Sequence, residues 1–356
     1  MNRQRDRHQY DLDTPQEIPA GSGRMRIKSP PARPSRRAAV ILVLAALAAP
    51  LPASGSDKDT HPERSTQMAA LDGAPASKAT TSRTSPPAPA LKFNKGLLWK
   101  IEPPGRPPSY LFGTIHSTDR RVTRLPPAVR TAFDEATSFT MELLISGAGI
   151  ASMADAMFFN DGRTLPGVAG EDLYIEAKQA MADNGLPVQD LDKKKPWVVI
   201  MLLSAPPAEP KLALDLLLQL QATVQGKRVY GLETMAEQIA VFDGMSIDEQ
   251  VVLLKETIRT RAQSARQYDS LLQAYLKRDL GKLMSLVYGS GPQGTPAYDN
   301  LLDRLLTRRN VLMAQRMRAR IETGNAFIAI GAAHLAGERG LLRLLEQQGY
   351  RVTAVY

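Results

Sequence analysis

Four histidines occur in 356 residues, and two of them share one local pattern. Tyr110-Leu111-Phe112-Gly113-Thr114-Ile115-His116 is a short apolar run closed by a glycine, with a histidine three residues on. Phe327-Ile328-Ala329-Ile330-Gly331-Ala332-Ala333-His334 repeats it. Both read as strand, glycine turn, histidine. Imidazole serves as a metal ligand and as a general base near neutral pH. Two in the same setting point to one shared site at the carboxyl ends of strands in an open α/β sheet. Two imidazoles alone make a poor metal site, so carboxylates should complete it. Asp119, Glu142 and Glu233 are the acids that strand ends or their turns can place there. Glu142 has the best claim, because it sits inside Phe139-Thr140-Met141-Glu142-Leu143-Leu144, where a carboxylate is costly to bury without a partner. Its plain alternative is a buried ion pair with an arginine such as Arg309. Glu233 reads equally as a helix N-terminal acid favoured by the dipole, and Asp119 as a turn cap.

The elements that must carry these residues follow from pattern. Residues 97–101 and 109–112 read as strands joined through a Pro/Gly-rich hairpin connection. A helix follows Pro127, residues 138–144 form a buried strand, and residues 227–232 form another with Glu233 at its end. From Ile150 to Gln225 apolar residues recur at helical spacing, within a helical insert that runs from Ile150 to Pro296. Residues 197–203 are apolar all round but too short to span a membrane, which marks a core helix. Ser246 and Glu249 form a capping box that opens a long helix, predicted to run as far as Asp279. A helix over residues 296–322 carries Arg309 and Asn310, and the chain closes as strand, turn, helix, strand. Strands at both ends with helices between indicate α/β, with a large helical insert between the two histidine turns.

Composition narrows the functional classes. The formal charge is +9, yet more than half of the excess lies in the first ninety residues. Arg304, Arg308, Arg309, Arg316, Arg318 and Arg320 are the nearest thing to a basic stripe, and a solvated helix face accounts for them more simply, so no nucleic-acid partner is expected. With no cysteine there is no disulfide, thiolate metal site or cysteine nucleophile. H-E-x-x-H, G-x-S-x-G and G-x-x-x-x-G-K are absent. The match to G-x-G-x-x-G at Gly289, Gly291 and Gly294 is a poor nucleotide loop, because Pro292 removes a backbone donor.

The N-terminus is organised differently. Residues 1–37 are basic, with Met25 an alternative start. Residues 38–55 combine an apolar core with a small-residue tail and read as a signal-peptide segment and its cleavage region. Residues 56–90 are a Ser/Thr/Pro/Ala linker read as disordered. Residues 91–356 form the folded domain. The expected location is periplasmic or secreted, with no stable membrane span after signal cleavage, or anchored by an uncleaved N-terminal segment.

The residues 110–116 with Asp119, Thr140-Met141-Glu142-Leu143, Gly231-Leu232-Glu233-Thr234 with Gln238, Arg309-Asn310, 331–337 and Gly349-Tyr350-Arg351-Val352 together resemble the TraB/GumN family, which includes the Tiki-type membrane metalloproteases. The resemblance covers essentially all of residues 91–356. It implies a fold of two related halves, each giving one G-x-x-H turn, similar to erythromycin-esterase-like and ChaN-like proteins. It also implies a metal-dependent peptidase site with His116, Glu142 and His334 at its core and Glu233 in support. The expectation is therefore an exported hydrolase with a divalent zinc, manganese or cobalt ion at His116, His334 and Glu142 or Glu233. The glutamate that is not a ligand would act as base. Arg309 and Asn310 would hold the glutamates or steady an oxyanion, and a peptide or small molecule would be the substrate. The alternatives are a non-catalytic binder of haem, a peptide signal or a polysaccharide fragment, and a partner in envelope or exopolysaccharide assembly.

Overall fold

The computed structural model describes residues 92–205, 211–289 and 295–356. The basic region, signal-like segment and linker, and residues 290–294 of the glycine match, lie outside the described residues.

Strands β1 (Leu98–Glu102) and β2 (Ser109–Thr114) form the expected hairpin. Helices α1 (Arg120–Thr123) and α2 (Pro127–Glu135) lead to β3 (Ser138–Leu143). Five helices follow: α3 (Gly147–Ala156), α4 (Leu165–Ala169), α5 (Glu171–Asp183), α6 (Pro196–Ser204) and α7 (Leu214–Val224). Strand β4 (Arg228–Glu233) interrupts the helical region and leads to α8 (Met235–Asp243) and the long α9 (Ile247–Leu276). Then come α10 (Leu280–Gly289), α11 (Pro296–Leu302), α12 (Arg309–Thr323), β5 (Ala326–Gly331), α13 (Leu341–Gln347) and β6 (Arg351–Ala354).

The strands make one mixed sheet in the order β4-β3-β5-β2-β1-β6. The first four are mutually parallel, while β1 runs antiparallel to both β2 and β6. Nearly every residue of β2, β3 and β5 is buried, so helices cover both faces, as a parallel sheet requires. Phe133 of α2 packs edge-on against Phe139 of β3 and Phe327 of β5, with ring centroids 5.8 and 5.3 Å apart, which fastens that helix to the centre of the sheet. The apolar helix α6 is buried along its length. Among the described residues no helix is long and apolar enough to cross a membrane.

Register sets the position of the site. Thr114 pairs with Gly331, Met141 with Ala329 and Leu143 with Glu233. The carboxyl ends of the parallel strands therefore set Glu233, Glu142, Gly331 and Thr114 side by side along one edge.

Local chemistry explains the boundaries, with three departures from the sequence reading. Thr234 with Glu237 and Ser246 with Glu249 form reciprocal capping boxes that start α8 and α9. Helix α9 stops at Leu276, and the chain turns through Arg278, whose φ is +56°. The helix expected over residues 296–322 is broken by a π-helical stretch, Asp303–Arg308, immediately before Arg309. The glycines of the two histidine motifs are not turn residues of positive φ: Gly113 and Gly331 both lie within their strands. Gly113 is small because a Cβ there would sit 2.5 Å from Leu335 Cδ1, so it is close packing that requires it.

Candidate functional site

The two histidine turns meet. His116, Glu142, Arg309 and His334 line one cavity of about 40 Å³, roofed by Leu271 of α9, Leu283 and Val287 of α10, and Leu306 of the π-helical stretch. A water needs about 10–15 Å³, so this space takes an ion or a few waters and no peptide side chain of any size.

His334 stands in a 3-10 turn just after β5 and is buried. Its Nδ1 lies 2.6 Å from Asn310 Oδ1. Asn310 Nδ2 donates to the Arg339 carbonyl at 2.8 Å, which leaves Oδ1 as the acceptor facing the ring. The imidazole therefore carries its proton on Nδ1 and turns the Nε2 lone pair inward, where Arg309 Nη1 approaches at 3.4 Å. Burial, with the charge of Arg309 behind it, holds the His334 pKa down to about 3, so the ring is neutral at neutral pH.

His116 is oriented in the same sense by a different group. Its Nδ1 lies 2.7 Å from Oδ2 of Asp215, and Thr114 Oγ1 donates to Oδ1 of that carboxylate at 2.5 Å. Burial opposes protonation of His116, but the Asp215 charge and hydrogen bond outweigh it and the pKa is raised. Asp215 is buried in the first turn of α7, and the Leu214 N–H donates to the Ser117 carbonyl at 3.1 Å, tying that helix end to the turn after β2.

Glu142 and Glu233 converge on one guanidinium. Arg309 Nη2 donates to Glu142 Oε2 at 2.6 Å and to Glu233 Oε2 at 2.7 Å, and Nε donates to Glu233 Oε1 at 2.9 Å. Arg309 Nη1 also donates to the Leu305 carbonyl of the π-helical stretch at 3.1 Å. The Gly331 N–H donates to Glu142 Oε1 at 2.7 Å. Burial alone would raise the pKa of Glu142, but Arg309 dominates and the Gly331 N–H assists, leaving it at about 2. Glu233 also accepts from Gln238 Nε2 at 3.2 Å and does not line the cavity.

The structure thus gathers six of the seven sequence candidates, with distinct contacts. Glu142 does form the buried pair with Arg309, and it faces the cavity as well. Arg309 holds both glutamates, whereas the contacts of Asn310 are to His334 and the Arg339 carbonyl. Arg309 is itself buried, which removes it from the solvated face assigned to the arginine run. Asp119 stays outside: it caps α1, accepting from the Arg121 N–H at 2.7 Å, and pairs with the Arg121 side chain. Asp215 was missed. The only signal in sequence was an acid within an otherwise apolar stretch, Ala213-Leu214-Asp215-Leu216-Leu217-Leu218, and an acid in a first helical turn has an ordinary explanation.

A family model described as the TraB/PrgY/gumN family matches residues 97–354. The chain belongs to this family. Similar curated proteins are named metalloproteases: TIKI2 of Danio rerio is 27% identical, covering 73% of this chain and 61% of that protein. TIKI1 of Xenopus tropicalis is 24% identical, over 76% of this chain and 65% of its own length. TIKI1 of Homo sapiens is 25% identical, over 72% and 61% respectively. The chain therefore spans less than two thirds of the length of these TIKI relatives. No solved structure shows a significant match.

The donor set of this family member fits a divalent cation in chemistry and charge, but its members are not drawn together around one point. Both imidazoles offer Nε2 with Nδ1 anchored by an oxygen, the usual outer-shell arrangement of metal-binding histidines. Glu142, Glu233 and Asp215 set three carboxylates against the Arg309 guanidinium and the His116 ring, whose protonation Asp215 favours, so an excess of negative charge remains that a cation would balance. Glu142 Oε1 lies 3.9 Å from His334 Nε2. Among the described residues, however, no group of three or more His, Asp or Glu is drawn together closely enough to hold a metal.

Proposed function

We propose that the chain is an exported, divalent-metal-dependent hydrolase that opens a peptide or related amide bond. The observation that carries this is the pair of anchored imidazoles, both presenting Nε2 to one cavity that also holds the Glu142 carboxylate. His116, His334 and Glu142 would hold the cation, whose identity among zinc, manganese and cobalt the donor set does not select. Once bound, it supplies Lewis acidity for the carbonyl and lowers the pKa of a water.

The remaining work falls to the chain's own side chains. Arg309 keeps Glu142 ionised and aimed into the cavity, and Glu233 braces Arg309 from behind. With both oxygens of Glu233 engaged outside the cavity, Glu142 would serve either as the third ligand or, left unligated, as the acceptor of the proton released by an attacking water. Asn310 and Asp215 fix the two rings. Leu271, Leu283, Val287 and Leu306 exclude bulk water, which strengthens every charge interaction inside. Because the cavity admits only an ion and waters, a peptide must approach from its rim or displace this apolar roof. The reading also carries the two-halves, erythromycin-esterase/ChaN-like architecture and a folded domain of residues 91–356 behind a signal-like leader, cleaved or kept as an anchor.

A second reading draws on a neighbouring cleft of about 480 Å³, which shares Leu306 and Ala333 with the inner cavity and is bordered by Asn310, Tyr288 and Arg339. Its size suits a small ligand, so a non-catalytic binder of haem, a peptide signal or a polysaccharide fragment is the alternative. A mixed peptide library incubated with the manganese-, cobalt- or zinc-loaded protein separates them. Hydrolysis is expected, abolished by chelator and by Glu142→Gln. Ligand retention without turnover, unaffected by Glu142→Gln, would favour the binder.

A further inference from the structure

The buried carboxylate of Asp215 pairs with the ring of His116, in contrast to Glu142 and Glu233, which share Arg309. Its partners are the hydroxyl of Thr114 and the ring of His116. Burying a carboxylate against a hydroxyl and an imidazole costs more than an apolar side chain would at the same place. Apolar packing therefore gives no reason for it, and its geometry does. Thr114, the last residue of β2, occupies Oδ1 and so turns Oδ2 toward His116 Nδ1. The Leu214 N–H on the Ser117 carbonyl holds the start of α7 at that distance. On the same side, Tyr275 of α9 donates to the Gly113 carbonyl at 3.0 Å, which steadies the strand end from the helix above.

We propose that Asp215 is a positioning residue of the site: it locks His116 as the Nδ1–H tautomer, so that Nε2 faces the cavity, and makes it the stronger electron donor of the two rings. Asn310 does the first for His334 without the second, since its oxygen is neutral. The two histidines are thus matched in orientation and unequal in character, one backed by a charge and the other by an amide. A carboxylate behind an imidazole raises its basicity as a ligand, and losing such an outer partner typically costs about 10- to 100-fold in metal affinity. The inference rests on the pocket being the reactive site proposed above.

The test uses the full chain labelled with ¹⁵N-histidine, metal-free and in mildly alkaline buffer, with His116 assigned through His116→Gln. Two-bond ¹H–¹⁵N spectra are expected to show His116 with Nδ1 protonated and Nε2 bare. In Asp215→Ala the His116 pattern should shift toward the Nε2–H form while His334 keeps its own. Cobalt affinity by equilibrium dialysis should fall by about 10- to 100-fold. An unchanged His116 tautomer in Asp215→Ala overturns the proposal. If that variant disturbs His334 as well, the isosteric Asp215→Asn decides. Retained tautomers with cobalt affinity lowered about 10-fold support the charge's role, and unchanged affinity overturns it. A wild type that takes up no cobalt would count against the metallohydrolase reading alone, because the tautomer comparison needs no metal.

Discussion

Arg309 grips Glu233 with two prongs, Nε to Oε1 at 2.9 Å and Nη2 to Oε2 at 2.7 Å. The same Nη2 reaches the partly buried Glu142, so one buried cation compensates two carboxylates at the carboxyl ends of adjacent strands. Arg309→Ala leaves both uncompensated and should cost about 3–5 kcal/mol in urea unfolding. Arg309→Lys should recover only part, because an ammonium cannot present the planar fork. A loss below about 1 kcal/mol for the alanine variant, as for an exposed pair, would show that the network is not structural.

Stability should also carry the signature of the unequal titrating groups. His334 is held at about 3 against an ordinary 6.5. Between those values the unfolded chain binds a proton that the folded one refuses. Its contribution is complete above 6.5 and is lost as the pH falls toward 3. Glu142, at about 2 against 4.5, adds a further loss below 4.5. His116 has the opposite sign: with its pKa raised above 6.5, its contribution is full below 6.5 and disappears as the pH rises through the folded value. Urea midpoints for the wild type should drop from pH 6.5 to 4.5, and His334→Gln should flatten that interval. A flat wild-type profile there would contradict the neutral, buried state of His334.

The two motif glycines should fail in different ways. In Gly113→Ala the new Cβ meets Leu335 Cδ1 at 2.5 Å and Leu97 Cδ2 at 3.3 Å, an overpacking that should cost about 1–3 kcal/mol. In Gly331→Ala it lies 3.1 Å from Glu142 Oε1 and 3.6 Å from His334 Cδ2, so the shift falls on the site itself. Thermal melts beside turnover assays should find Gly113→Ala defective mainly in stability and Gly331→Ala mainly in activity. The reverse pattern would place the reactive groups elsewhere.

Much of this was legible because the signals are local. The strand ends, both histidine motifs, the Ser246 capping box and the apolar α6 follow from a few neighbouring residues each, and two histidines in one setting gave the site its first outline. What escaped depends on contacts distant in sequence. Arg309 belongs to an arginine run that reads as a wet helix face, and only the π-helical stretch before it and the paired glutamates across the sheet explain its burial. Asp215 lies 99 positions from His116 and looks like a first-turn acid until α7 is docked beside β2. Gly113 reads as a turn glycine because the packing of Leu335 against it is invisible in a linear pattern.

The most direct test of the proposed metal site is metal content. The purified full chain, incubated with manganese, cobalt or zinc and then desalted, should retain close to a single equivalent by mass spectrometry, and both His116→Ala and His334→Ala should lose it. A folded wild type that retains none of the three metals would contradict the metallohydrolase account and leave the pocket to ligand binding.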